Sequence, residues 1–71
     1  MIILNRQFVS SSDIQSVGWQ NNTLEIEFKS GGIYQYHGVS QDIYLGLLSA
    51  SSCGRYFHSF IKPFYHGIKI S

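Results

Sequence analysis

The sequence predicts an α+β domain: a three-stranded antiparallel sheet made of two hairpins, covered on one face by two short helices, with a C-terminal edge strand. Three observations carry this. From Thr23 to Tyr36 apolar and polar residues alternate, break at Ser30-Gly31-Gly32, and alternate again, the pattern of a hairpin with one dry face. Just upstream, Asn21-Asn22 can adopt the positive φ values of a two-residue hairpin turn. Beyond Ser40 the apolar spacing changes from two to three-and-four, which is helical.

Taken in order, Ile2 to Leu4 reads as a further strand or as a loose N-terminus. Ser10-Ser11-Ser12-Asp13 is a turn signal, because short hydroxyl side chains bond nearby backbone groups. Ile14 to Trp19 is the first strand. Pairing Gln20 with Thr23 sets Trp19 opposite Leu24 and Val17 opposite Ile26. Val17, Trp19, Leu24, Ile26 and Phe28 then share one face. An odd number of residues in the loop around Ser30-Gly31-Gly32 brings Tyr34 to Ile26 and Tyr36 to Leu24. An even number puts both tyrosines beside Glu25 and Glu27. The odd loop is expected, since Glu25, Glu27, Gln35 and His37 make a coherent wet face and a three-residue loop with a left-handed Gly is common.

Ser40 suits an N-cap and Asp42 a first turn. Ile43, Tyr44, Leu47, Leu48 and Ala50 form the stripe of a helix that ends near Ser49-Ala50. Ser51 or Ser52 caps a second helix. In it Cys53, Tyr56, Phe57, Phe60 and Ile61 fall on one face, and Pro63 stops it. Phe64 to Ile70 reads as the last strand.

All 71 residues belong to one domain. A chain of this size buries about 60% of its unfolded surface, and its stability is about 4–11 kcal/mol. That leaves little room for a deep, water-excluded catalytic cavity, so an enzyme is not expected. The lone Cys53 excludes an internal disulfide and fits a reducing compartment. The start, Met1 to Arg6, has no basic leader and no long apolar run, so neither a signal peptide nor a membrane partner is expected and the location is read as cytoplasmic.

The charge is split. Residues 1–42 hold four acids (Asp13, Glu25, Glu27, Asp42) against Arg6 and Lys29, net −2; residues 43–71 hold Arg55, Lys62 and Lys69 and no acid, net +3. His58 and His66 lie among these cations. A basic C-terminal portion points to an anionic partner; an ordinary solvated face is the other reading.

Tyr34 and Tyr36 are of the type that stacks on bases, although the face argument assigns them to core packing with hydroxyls at the rim. His37, His58, His66 and Cys53 carry metal-ligating atoms, but their spacing matches no compact motif, so no metal or other cofactor is expected. Cys53 has no positioned base and reads as a small buried residue. Backbone amides of Cys53 to Arg55 at a helix N-terminus offer an anion site; close helix packing at Gly54 is the alternative.

Together, Ser10-Ser11-x-x-Ile14-x-x-Val17-Gly18-Trp19, Leu24-x-Ile26-x-Phe28-x-Ser30-Gly31-Gly32-x-Tyr34-x-Tyr36-x-Gly38-Val39, Tyr44-x-x-Leu47-Leu48-x-Ala50-x-Ser52-x-Gly54-x-Tyr56-Phe57 and Ile61-Lys62-x-x-Tyr65 resemble the KTSC domain family over about residues 8–70. That family takes its name from a C-terminal appendage of lysyl-tRNA synthetase and also occurs as small stand-alone bacterial or phage proteins. The chain departs from the family pattern at Trp19, where Tyr is common, at Ser40 in place of Pro, at Cys53 in place of a basic residue, and at His58 in place of Asn. The resemblance implies RNA binding. With the charge split, it gives a non-catalytic binding module for RNA, tRNA or another phosphate-bearing ligand such as a nucleotide. The candidate residues are Arg55, Tyr56, His58 and Lys62 on the basic helical side, with Tyr36. The alternative is a protein-interaction module that self-associates, or that inhibits or tethers a larger partner, through its edge strand or Ile2-Ile3-Leu4.

Overall fold

A computed structural model of the chain describes residues 5–71. Its elements are β1 (Gln7–Phe8), β2 (Ile14–Gln20), β3 (Thr23–Phe28), β4 (Ile33–His37), α1 (Gln41–Ser49), α2 (Cys53–Tyr56), a π-turn continuing α2 over Phe57–Ile61, and β5 (Gly67–Lys69). The strands form one antiparallel meander in the order β1-β2-β3-β4-β5.

The two hairpins have the expected registers. Trp19 pairs with Leu24 and Val17 with Ile26 across a turn in which Asn21 and Asn22 both have positive φ. Tyr34 pairs with Ile26 and Tyr36 with Leu24. The Phe28 amide donates to the Gly32 carbonyl at 2.9 Å, which closes a loop of Lys29, Ser30 and Gly31, with Gly31 at φ 112. This is the odd loop, and it turns both tyrosines to the helix-covered face. There Ile14, Val17, Leu24, Ile26, Tyr36, Val39, Leu47, Cys53, Phe57 and Ile61 form the core, with Trp19, Phe28 and Tyr34 packed against it. The indole N–H of Trp19 donates to the Val39 carbonyl at 2.8 Å.

The sheet has five strands rather than three plus an edge strand. The added strand, β1, is a two-residue ladder against Val17 and Ser16, too short to leave an alternating pattern in the sequence. Its approach depends on Gly18. A Cβ there would collide with the Asn5 carbonyl and stand 3.1 Å from Arg6 Cγ. The alternative strand at Ile2 to Leu4 lies outside the described residues. A bulge between Ile14 and Ser16 adds one residue to β2 and turns Ile14 into the core, which strict alternation would not do.

The second sheet face is wet only at its margin: His37 is exposed and Glu27 partly so, but its centre is buried. Glu25 is 0% exposed and Gln35 8%. Arg6 lies over them: its Nε donates to Ser16 Oγ at 2.9 Å, and its Nη1 is paired with the Glu25 carboxylate. Gln35 Nε2 donates to Glu25 Oε1 at 2.8 Å, and Ser16 Oγ donates to Glu27 Oε1 at 2.9 Å. The result is a closed polar layer in which each buried charge has a hydrogen-bonded partner, as burial requires.

The helices follow their caps. Ser40 Oγ accepts from the Ile43 amide at 3.3 Å, and Ser52 Oγ from the Arg55 amide at 3.2 Å. After Tyr56 the ladder widens, and the Lys62 amide donates to the Phe57 carbonyl at 2.9 Å, an i→i+5 bond. The wider turn keeps Cys53, Phe57 and Ile61 in the core and swings Phe60 out to 53% exposure. The expected helical stripe therefore loses Phe60. The last strand is also shorter than Phe64 to Ile70. The Phe64 and Tyr65 amides both donate to the Ile61 carbonyl, which keeps Phe64 in the turn after Pro63; the strand starts only at Gly67, and the Ile70 amide still donates to the Ile33 carbonyl of β4 at 2.8 Å.

Two stability outcomes follow from this packing. Phe57, 2% exposed, sits edge-to-face against both Phe28 and Tyr36 at 5.5 Å. In urea titrations Phe57→Ala should cost about 3–5 kcal/mol, a large part of the whole, and Phe60→Ala within about 0.5 kcal/mol. Comparable losses for the two would mean an ordinary α-helical stripe. Arg6→Ala should cost about 3 kcal/mol, because it leaves the Glu25 carboxylate buried without its cation. A loss near zero would mean that the second face hydrates freely.

Candidate functional site: an aromatic cleft with a basic rim

The two edges of the dry face differ. Near α1 the core is closed by Trp19, which stacks on Tyr44 at 6.3 Å. At the far end of the β3–β4 hairpin the helical cover stops, and a cleft of about 290 Å³ opens between the hairpin and the π-turn. Phe28, Ser30, Tyr34, Tyr36, Phe57, His58 and Lys62 line it. Phe57 and Tyr36 are nearly buried, whereas Phe28 and Tyr34 are half-buried. Phe28 meets Tyr34 edge-to-face at 5.6 Å, so the four rings brace one another.

Three of the expected site residues, Tyr36, His58 and Lys62, meet in this cleft. Arg55 and Tyr56 do not. They line a separate hollow of about 200 Å³ with Ala50, Ser51, Ser52, Ser59 and Phe60. Helical spacing explains the division. His58 and Lys62 are four residues apart and share one flank, as do Arg55 and Ser59 on the other. Tyr56 is committed to helix packing. Its ring lies over Gly46 of α1, with Cζ 2.8 Å from where a Cβ would stand, and against Phe60 at 4.9 Å. Phe28 and Tyr34 complete the cleft although the sequence assigns them to packing. Both lie on the dry face next to the loop, where cover is thinnest.

The basic side also holds an acid. Asp13, from the turn before β2, brings Oδ2 to 3.6 Å from His58 Nε2. The same oxygen is 3.9 Å from where a Cβ on Gly54 would stand. The Arg55 amide is taken by Ser52 Oγ and the Tyr56 amide by the Ser52 carbonyl. Of the three amides expected to offer an anion site, Cys53 to Arg55, that of Arg55 is thus taken by the protein's own cap. Lys62 forms no ion pair among the described residues. Lys69 pairs with Tyr34 across β4–β5 and so shares its face. Cys53 is buried, and its Sγ–H donates to the Leu47 carbonyl at 3.4 Å. Among the described residues no group of three or more His, Cys, Asp or Glu side chains gathers to hold a metal, and no helix is long and apolar enough to cross a membrane.

Tyr36 is held by its surroundings as a neutral phenol. Its ring covers Gly67 of β5, with Cε2 2.7 Å from where a Cβ would stand. Burial, and then the neighbouring Tyr34, push its hydroxyl from 10.0 up to about 12; burial raises Tyr44 as well. The folded state therefore holds these protons more tightly than the unfolded chain. The stabilisation is complete below the unfolded value and disappears as pH rises through the folded one. Resistance to urea should be level up to about pH 9.5 and fall between about pH 10 and pH 12, and Tyr36→Phe should flatten most of that fall. An unchanged profile in Tyr36→Phe would mean that its hydroxyl is hydrated.

The same arrangement of elements occurs in known proteins. A crystal structure of a KTSC domain protein from Yersinia pestis superposes with a TM-score of 0.92, at 42% identity, over 97% of this chain and 100% of that one. An uncharacterized protein of Stutzerimonas stutzeri is 37% identical over 62 residues, 84% of this chain and 87% of the relative. A lysine–tRNA ligase of Nostoc is 50% identical over 40 residues, which are 56% of this chain and 7% of the ligase. The KTSC domain family model matches residues 10–65, which include both hairpins, both helices and all seven residues that line the cleft, and the chain belongs to the KTSC domain family.

Proposed function

We propose that this KTSC domain is a non-catalytic binding module for RNA or another phosphate-bearing ligand. The observation that carries the reading is the cleft in which half-buried Phe28 and Tyr34 stand beside Lys62 and His58. Exposed ring surface beside a cation suits a ligand with a planar base and a phosphate. The likeness to a lysine–tRNA ligase over 40 residues supports RNA as the source of that ligand. A non-catalytic role is supported by Cys53, whose thiol is buried against the Leu47 carbonyl, and by His58, which faces Asp13 rather than a nucleophile. The single free, buried cysteine supports a reducing compartment such as the cytoplasm.

A protein-interaction module is the second reading. It is supported by β5, an outer strand of the sheet, on which Ile68 is 43% exposed, and by Phe64 just before it at 72%. Such an edge is a template for strand addition.

Titration of labelled RNA separates the two readings. Arg55, Lys62 and Lys69 are the cations of residues 43–71, so at most about three phosphates are neutralised and log K should fall against log salt with a slope no steeper than about −2. Arg55→Ala/Lys62→Ala should weaken binding severalfold. Equal affinity for wild type and double variant, or no binding at low salt and pH 6, would remove the RNA reading in favour of the protein-interaction module.

A further inference from the structure

We propose that the cleft between the β3–β4 hairpin and the π-turn takes one nucleotide unit, with the base against Phe28 and Tyr34 and the phosphate at Lys62. The inference rests on the phosphate-binding reading above and narrows it from a strand to a single unit.

Size is the first reason. A volume of about 290 Å³ lies at the small end of ligand pockets. It accommodates one planar ring system and its sugar and leaves no track for a run of bases. Charge is the second. Lys62 is the one lysine or arginine in the lining, and Arg55 stands on the opposite flank of the helix with the other hollow. His58 is beside it but faces Asp13. One cation matches one phosphate. Lys69, on the Tyr34 face through the β4–β5 register, would screen the same group from outside the cleft.

Preorganisation is the third. Phe57 is edge-to-face with Phe28 and with Tyr36, and Phe28 with Tyr34. The rings are held by the core before any ligand arrives, so little ordering cost is added on binding. Tyr36 and Phe57 are too buried to offer a stacking face; Phe28 and Tyr34 retain one. Ser30, at the lip of the loop, adds a hydroxyl that can both donate and accept toward the sugar or the base edge.

The test is calorimetric or NMR titration of the intact protein with AMP, adenosine, ribose 5-phosphate, and an adenine tetranucleotide with and without a 5′-phosphate. AMP should bind with a salt slope near −0.7, as for one phosphate on a single strand. Adenosine and ribose 5-phosphate should each bind at least about tenfold more weakly. The phosphorylated tetranucleotide should match AMP within about threefold, because one unit fills the cleft. With AMP bound, binding of the 5′-phosphorylated tetranucleotide but not the unphosphorylated one would identify a strand end as the source of the phosphate, and binding of both tetranucleotides would identify an internal unit; either supports the proposal. Lys62→Ala should abolish the preference for AMP over adenosine. Tyr34→Leu, which keeps apolar packing, should weaken AMP about tenfold. A tetranucleotide that binds while AMP does not, or a Lys62→Ala protein that still prefers AMP, overturns the single-unit cleft and leaves RNA binding standing. Failure of every nucleotide and RNA overturns both.

Discussion

Lys29, Ser30 and Gly31 make the loop on which both faces of the sheet depend. Gly31 takes a φ of 112, and the Phe28 amide closes on the Gly32 carbonyl. With a loop one residue longer or shorter, every side chain of β4 would change face. Tyr34 and Tyr36 would leave the core for Glu25, and Gln35 would lose its bond to the Glu25 carboxylate. The aromatic cleft and the Arg6 layer thus share one origin. They are the two sides of a single register.

Glycines fix the tyrosines within that register. Tyr36 lies over Gly67 of the neighbouring strand, and Tyr56 over Gly46 of the neighbouring helix. In each case the ring occupies the space a Cβ would take, which adds contact where a side chain is absent. This is why Tyr56 does not contribute to the cleft despite being next in sequence to Phe57. Tyr34, by contrast, is only half-buried and keeps ring surface available. The tyrosines of the Tyr-x-Tyr triplet therefore do different work: Tyr36 joins the last strand to the core, and Tyr34 walls the cleft.

The hairpin registers, both serine caps and most of the core were legible in the sequence, because alternation and capping are local signals. The rest depended on contacts between distant residues. Arg6 and Glu25 are 19 residues apart, and nothing in a pattern of polar residues says that a strap will close over them; the face read as wet for that reason. The bulge before Ser16 and the π-turn after Tyr56 each insert one residue into a regular period. Neither has a composition of its own, so Ile14 and Phe60 each ended on the side that periodicity did not assign. The site split similarly. Arg55 and His58 look adjacent along the chain, but only His58 and Lys62 share the flank that meets the hairpin.

A sheet in a chain this short has only two faces to offer, and here both are used for stability. Helices close one, and the Arg6 network closes the other. A ligand site must then lie at a margin, where one element ends before its neighbour does. The π-turn creates such a margin. By keeping Phe57 and Ile61 in the core while the chain turns away toward Pro63, it leaves the tips of β3 and β4 extending beyond their cover. Phe28 and Tyr34 keep part of their surface exposed, and Lys62, whose amide donates the i→i+5 hydrogen bond to the Phe57 carbonyl, lies at the rim. The backbone irregularity and the cleft are therefore one feature.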